Sequence, residues 1–335
     1  MPRLYLDEYR RTLAGKTVLI VCREGILRDH FDAVAADIKF LNRQGIRTVL
    51  FHNLPNRFAN QQHFRRLSDR LPGTRIVRIP AQEGLYNAAL ERGLPCDKLI
   101  LLERKFLTDR RGRKLNTLTT GKARLALKDL GDLISNTGLR GVLNHICEKI
   151  EAGGIDRVHI LPAGKHKIKH ELFAIEGSGT LIANDFRETF TGLASDDDVR
   201  IVYDILKRYR RLGFLKPRSK EYISTRRDCF RVARIDGIIV GCLETLVIDS
   251  RTVELGALAI ASRYRNQQIG VFLVRSFLEN AAREGHKRVI SLTNNPRLAR
   301  LYKGLSFTEA GSDDYPSRQN RSPGVQMYIS PLDPG

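Results

Sequence analysis

The stretch VELGALAIASRYRNQQIGVFLVRSFLENA, residues 253–281, carries the most information in the chain. It reads as a strand over 253–260, a turn Arg265-Asn266-Gln267-Gln268-Ile269-Gly270, and a long helix over 268–283 that the turn opens. Backbone N–H groups at such a helix start can cradle a pyrophosphate, Gly270 admits a close approach, and Arg265 adds positive charge. An ordinary strand–turn–helix accounts for this stretch equally well when it is taken alone. A second element downstream shifts the balance: a strand RVISLT at 288–293 leads to NPRLARLY at 295–302.

Outward from there, the chain separates into two textures. Residues 187–193, 230–235, 238–247 and 325–329 read as further short strands, with a helix over 296–303. Ser195 followed by three aspartates caps an amphipathic helix that runs to 212, the acids lying at its positive end. This half is an α+β sheet. The earlier half alternates instead. A strand at 16–21, a helix over 32–44 that stops at Gly45, and a strand at 47–51 form a βαβ unit, hence a parallel sheet with right-handed crossovers. More strands are expected at 75–79, 98–102 and 156–161, with helices at 119–133 and 139–152. The glycine-rich EGSGTLIAND at 176–185 closes the segment, so domains are expected over 1–184 and 185–335.

A chain of 335 residues is roughly two domains. With 42% hydrophobic and 28% charged residues, it has the composition of a globular protein, not a disordered one. No apolar run approaches the roughly 20 residues needed to cross a bilayer. The start, MPRLYLDEYRRTLAGK, lacks the apolar stretch of a secretory signal, so the cytoplasm is expected and a membrane is not. The cysteines (Cys22, Cys96, Cys147, Cys229, Cys242) are odd in number and never in a CxxC pair. That argues against a disulfide framework and against a metal site, and for reduced core thiols. The net charge of +20 falls mostly before residue 185, including ERKFLTDRRGRK at 103–114 and KHKIKH at 165–170. Such a field favours anionic partners, nucleic acid among them, although a solvated basic surface explains it more simply.

The two motifs together resemble the GNAT acetyltransferase superfamily, whose acetyl-CoA loop is R-x-x-G-x-G/A and whose later helix carries N-x-x-x-x-x-L-Y. Arg265, Gly270, Asn295, Leu301 and Tyr302 match, while Gln268 replaces the middle glycine. Within that superfamily the chain is most similar to the N-acetylglutamate synthases. GFLKPRSKEYI at 213–223 is similar to that family's G-I-L-x-x-R-S-R-E-x-L, and VELGALAIASRYR to its G-E-M-A-x-V-A-V-H-P-x-Y-R. LAGKTVLIV at 13–21, FDAVAADIKFLNRQGIRTVLF at 31–51 and RVHILPAGKHKIKHELFAIEGSGTLI at 157–182 resemble the amino-acid-kinase domain that precedes the acetyltransferase there. The fold class implied is α/β: a truncated, kinase-like parallel-sheet domain, then an α+β GNAT domain. The lysine and glycines by which the kinases hold ATP are replaced by Val21, Cys22, Arg23 and Glu24, and H-G-G-G-P by His52-Asn53-Leu54-Pro55. Without small residues and φ > 0 freedom the backbone cannot wrap phosphates, so no phosphoryl transfer is expected.

The resemblance also implies roles. Glu254 matches the glutamate that serves as base, directly or through a water, and Tyr302 would supply a hydrogen bond or proton to the leaving thiolate. Backbone groups of Leu258, Ala259 and Ile260 would hold the pantetheine arm of acetyl-CoA, with Arg265, Asn266, Gln267, Gln268, Ile269, Gly270, Val271 and Asn295 around the rest of the cofactor. Two carboxylates on an amino-acid acceptor call for two forked guanidiniums. Arg218 and Arg321 match the family's glutamate-holding arginines. Tyr9, His159, Glu171 and Gly177 fit an L-arginine effector site, Glu171 pairing with the guanidinium. A homo-oligomer is expected and a metal is not. The rival readings are an acetyltransferase for another amine and a basic nucleic-acid- or protein-binding regulator.

Overall fold

A strand buried on both faces needs an unbroken apolar run, and VLIVC at 18–22 is one: every residue of it is buried. In the computed structural model, residues 4–55, 67–80, 82–92, 96–108, 111–129, 137–186, 188–265, 267–311 and 324–332 are described. The chain divides into two units, Met1–Phe186 and Arg187–Gly335. Among the described residues the first is built on seven strands, β1 (Thr17–Cys22), β2 (Arg47–His52), β3 (Thr74–Arg78), β4 (Cys96–Glu103), β5 (Thr117–Thr119), β6 (Ile155–Pro162) and β7 (Thr180–Ala183). Their order is β3-β2-β1-β4-β6-β7-β5. All neighbours are parallel except β6 with β7. Leu19, Val21, Phe51, Leu99, Leu101, Val158 and Ile160 carry one face of the sheet into a core shared with Leu143, Ile146 and Ile150 of the helix Thr137–Glu151.

The first crossover helix begins earlier than its periodicity suggests. It spans Glu24–Arg43, with a break at His30 (φ −129°, ψ 19°), and the regular apolar spacing resumes only after that break. Its N-terminus is tied to the next turn, where Glu24 N–H donates to Asn53 Oδ1 at 2.7 Å. At the same edge of the sheet Glu103, buried at the end of β4, accepts the Tyr86 hydroxyl and lies 3.7 Å from Arg23 Nε. The Arg23 guanidinium stacks 4.5 Å over the Tyr86 ring. Burial, reinforced by Arg78, lowers the His52 pKa to about 4. The ring is therefore neutral at pH 7, consistent with its Nδ1 accepting Leu54 N–H at 3.2 Å.

The second unit is a mixed sheet of β8 (Glu188–Gly192), β9 (Phe230–Ile235), β10 (Ile238–Val247), β11 (Thr252–Ile260), β12 (Arg288–Thr293), β13 (Thr308–Ala310) and β14 (Gln326–Pro331), in the order β13-β14-β12-β11-β10-β9-β8. β11 and β12 are parallel and all other neighbours antiparallel. Asp236 and Gly237 turn β9 into β10 with φ of 53° and 77°, the two positive φ values that a tight hairpin turn needs. The helix Asp196–Arg211 starts on a capping box: Ser195 Oγ accepts Asp198 N–H at 3.2 Å and Asp198 reaches back to Ser195 N–H. Asp198 also holds Arg234 at 2.7 Å, pinning this helix to β9. Among the described residues no helix is long and apolar enough to cross a membrane. The five cysteines are free thiols, with Cys22, Cys147 and Cys242 buried.

Among the described residues of the first unit, an added Cβ would meet the backbone most closely at Gly179, where it would run into the Ile160 carbonyl and Leu161 Cδ2. The carbonyl cannot yield without moving β6. Gly179→Ala is therefore expected to destabilise the first unit by about 1–3 kcal/mol, read as a lower urea midpoint at unchanged slope.

Candidate active site

β11 and β12 are paired over only four residues, from Thr252↔Arg288 to Leu255↔Ser291. Beyond that point β11 continues on β10 alone. A bulge marks the change: Gly256 faces Glu244 and Ala259 faces Cys242, so Ala257 and Leu258 stand together opposite Leu243. Ala257 takes φ of 50° to make it. Bulges of this kind bend a strand and end pairing. The Leu255 carbonyl, at the end of the ladder, accepts Ser291 Oγ–H at 2.8 Å, and the Tyr302 hydroxyl lies 2.9 Å from the same Oγ.

The wedge opened by this parting is a cleft of about 560 Å³. Leu258, Ala259, Ile260, Arg265, Gln268, Ile269, Gly270, Val271 and Asn295 all line it, as the sequence places them. Asn266 lies outside the described residues, and Gln267 is not on the wall. The helix Ile269–Arg283 points its N-terminus into the cleft and has no acidic residue in its first turn, the arrangement that suits an anion. Gly270 is packed so closely that a Cβ would stand 3.1 Å from Ile260 Cδ1 and 3.3 Å from Leu301 Cδ2. Asn295 caps the helix Pro296–Lys303, its Oδ1 accepting Arg297 N–H at 3.0 Å.

Two aromatic wall residues are not legible in the motif. Tyr209 and Phe214 bring aromatic surface from outside the strand–turn–helix. Tyr209 also changes the expected role of Ile260. Its hydroxyl accepts Ile260 N–H at 3.2 Å and donates to Ile260 C=O at 2.9 Å, so those backbone groups already have a partner. Leu258 and Ala259 remain as the strand residues expected to meet a ligand arm.

Tyr302 is not on the cleft wall, contrary to the expectation that its hydroxyl reaches a leaving group there. It is 1% exposed, its ring centroid 5.1 Å from Phe307 and 5.7 Å from Tyr328. Burial pushes its phenol well above the ordinary range; Glu254 adds to that effect and the Ser291 hydrogen bond opposes it. The spacing N-x-x-x-x-x-L-Y fixes the helix face, and on that face Leu301 takes the cleft while Tyr302 takes the core.

A second group of polar side chains sits on β10 and β11. Glu254 pairs with Leu246 and Gly256 with Glu244, so Glu254, Gly256 and Glu244 share one face of the sheet. Glu254 is 7% exposed and Glu244 fully buried. Arg218 Nε donates to Glu244 Oε2 at 2.6 Å, and the Tyr222 hydroxyl donates to Oε1 at 2.5 Å. Burial, and then that hydrogen bond to Glu244, raises the Tyr222 pKa. Arg321 lies outside the described residues.

In the first unit His159, Glu171 and Gly177 come together, with Tyr9 alongside through Phe173, whose ring is 6.2 Å away. Glu171, however, is already engaged. Oε1 meets His159 Nδ1 at 2.6 Å, and Oε2 accepts Ser178 N–H at 2.5 Å and Gly179 N–H at 2.8 Å. This carboxylate organises the 177–180 turn, with Gly177 at φ of 60°, a role that the motif ELFAIEGSGT does not reveal. Among the described residues no cluster of His, Cys, Asp or Glu could hold a metal.

Residues 199–307 match the family described as acetyltransferase (GNAT) family, and the second unit has that fold. The amino-acid acetyltransferase of Pseudomonas fluorescens (strain SBW25) is 28% identical over 249 residues, 73% of this chain and 55% of that protein. The amino-acid acetyltransferase of Pseudomonas syringae pv. syringae is 28% identical over 306 residues, 88% of this chain and 64% of that protein. The chain thus spans between half and two thirds of the length of these curated relatives. Its fold is similar to that of N-acetylglutamate synthase from Neisseria gonorrhoeae, solved with coenzyme A and L-arginine. The TM-score is 0.56 at 18% identity, covering 98% of this chain and 97% of that one.

Gln268 stands just before the helix at φ of 61°, the left-handed region where a Cβ is strained. The middle glycine of the superfamily loop therefore has a conformational reason. Gln268→Gly should relieve roughly 1 kcal/mol of strain and uncover the helix start. The expected result is tighter acetyl-CoA binding by calorimetry, with no loss of melting temperature.

Proposed function

We propose that the protein transfers the acetyl group of acetyl-CoA to the α-amino group of an amino acid, with L-glutamate as the acceptor. The observation that carries this reading is the cleft at the parting of β11 and β12, with Glu254 four residues before the first strand residue on its wall, Leu258. The cleft fits acetyl-CoA by its volume and by the free helix N-terminus of 269–271. When bound, the cofactor supplies an acetyl thioester.

The rest is work for this chain's own residues. An amino acid is mostly an ammonium ion at pH 7, so the nucleophile must first lose a proton. Glu254, buried and set at the sheet's parting, accepts it directly or through a water. Arg218 binds an acceptor carboxylate from two residues along the same face, beside Gly256. Leu258 and Ala259 align the thioester against the amine. Ser291 and Tyr302 act behind this line, tying the Leu255 carbonyl so that the strand parts at a fixed place. The first unit takes no part in phosphoryl transfer in this reading, because Arg23, Tyr86 and Glu103 fill the strand ends with their own charge pair. The same reading includes L-arginine as an effector near Tyr9, His159, Glu171 and Gly177, and a homo-oligomer.

Release of free thiol from acetyl-CoA, followed across the twenty amino acids and common polyamines, tests the assignment. L-Glutamate should give the highest rate, and thiol release with a polyamine alone would overturn it. In the same assay Glu254→Gln should lower kcat by about 10²–10⁴-fold at unchanged acetyl-CoA KM.

A further inference from the structure

Glu244 is a costly residue to place inside a sheet. It is fully buried in the middle of IIVGCLETLV, and an isolated carboxylate there would be strongly destabilising. The structure answers that cost with three groups. Arg218 Nε holds one oxygen at 2.6 Å and the Tyr222 hydroxyl holds the other at 2.5 Å. Arg226 Nε stands 3.9 Å from Oε1. Both guanidiniums lie against the Tyr222 ring, 5.9 Å and 5.4 Å from its centroid. One carboxylate is thus shared by two arginines, and the group keeps a net positive charge.

The consequence is directional. Arg218 spends Nε on Glu244 and Nη1 on the Lys216 carbonyl at 3.3 Å. Its Nη2 lies above Gly256, 3.9 Å from where a Cβ would be. Gly256 follows Glu254 by two residues on the same face, and Glu244 is its cross-strand partner. A guanidinium held on two sides over a glycine offers its remaining N–H groups in a fixed plane next to the base. A free arginine side chain would lose rotamer entropy to reach that state.

We infer that Glu244 is a positioning residue for the acceptor: with Tyr222 it locks the Arg218 guanidinium over Gly256 so that Nη2 meets the acceptor's carboxylate beside Glu254. The inference rests on the acetyltransferase reading above. It also alters what replacing Arg218 would mean, since that change removes a carboxylate ligand and strands Glu244 as a buried charge. Glu244 and Tyr222 are the cleaner positions to change.

The test compares wild type, Glu244→Gln and Tyr222→Phe as full chains. Glu244→Gln keeps the shape and an acceptor oxygen but drops the charge. It should raise the L-glutamate KM at least tenfold while the acetyl-CoA KM stays within twofold. Tyr222→Phe, which removes one hydrogen bond, should raise the same KM by a smaller factor. A merely structural role would move both KM values or neither, and either result overturns the inference. Absence of acetyl transfer by the wild type would sink the acetyltransferase reading alone. Calorimetric binding of L-glutamate in the presence of CoA then decides this one: at least tenfold weaker binding by Glu244→Gln supports it, and equal binding, or none by the wild type, overturns it.

Discussion

Everything proposed for the second unit hangs on the place where β11 lets go of β12. Four paired residues hold the strands together, the bulge at Ala257 turns β11 away, and the Ser291 hydroxyl takes the last carbonyl. Had the ladder continued, the backbone of 256–260 would be consumed by its neighbour and the helix start at 269–271 would face a closed sheet. A residue at φ of 50° without a glycine costs of order 1 kcal/mol. The sheet offsets that cost with buried packing on β10, where Cys242 and Leu243 are fully covered.

On either side of that parting the unit divides its labour by polarity. One side is a cleft with aromatic and aliphatic walls, a helix N-terminus and the loop arginine Arg265, suited to a long ligand with an anionic middle. The other is a small charged group in which Glu254, Glu244, Arg218 and Tyr222 are fixed by strand register and by one another. The strand register sets Glu254 and Glu244 on one face of the sheet.

How much of this the sequence disclosed depends on the range of the interactions involved. Local signals read well. Ser195 with its aspartates gives the helix that starts at Asp196, and Asn295-Pro296 opens the helix that ends at Lys303. Of the turn 265–270, Arg265, Gln268, Ile269 and Gly270 stand on the cleft wall, because a strand–turn–helix carries its own geometry. Nonlocal signals did not read. Glu244 looks like one polar position in an apolar strand, and its meaning depends on Arg218, 26 residues earlier. Tyr302 shares a helix with Leu301 but faces the core, a difference of one residue that only packing decides. Glu171 matches a ligand-binding motif, yet two amides and a histidine of its own unit take its oxygens. The helix at Glu24 shows its periodicity only from residue 32, because the break at His30 interrupts the spacing that announces it.

The central claim is that this cleft receives acetyl-CoA across the parted strands, and a crystal structure of the full chain with CoA tests it most directly. The account predicts a pyrophosphate within hydrogen-bond distance of the amides of Ile269, Gly270 and Val271, a pantetheine arm beside Leu258, and the thiol at the end nearest Glu254. CoA seated elsewhere on the second unit, or lying in the cleft with its thiol turned away from Glu254, would contradict it.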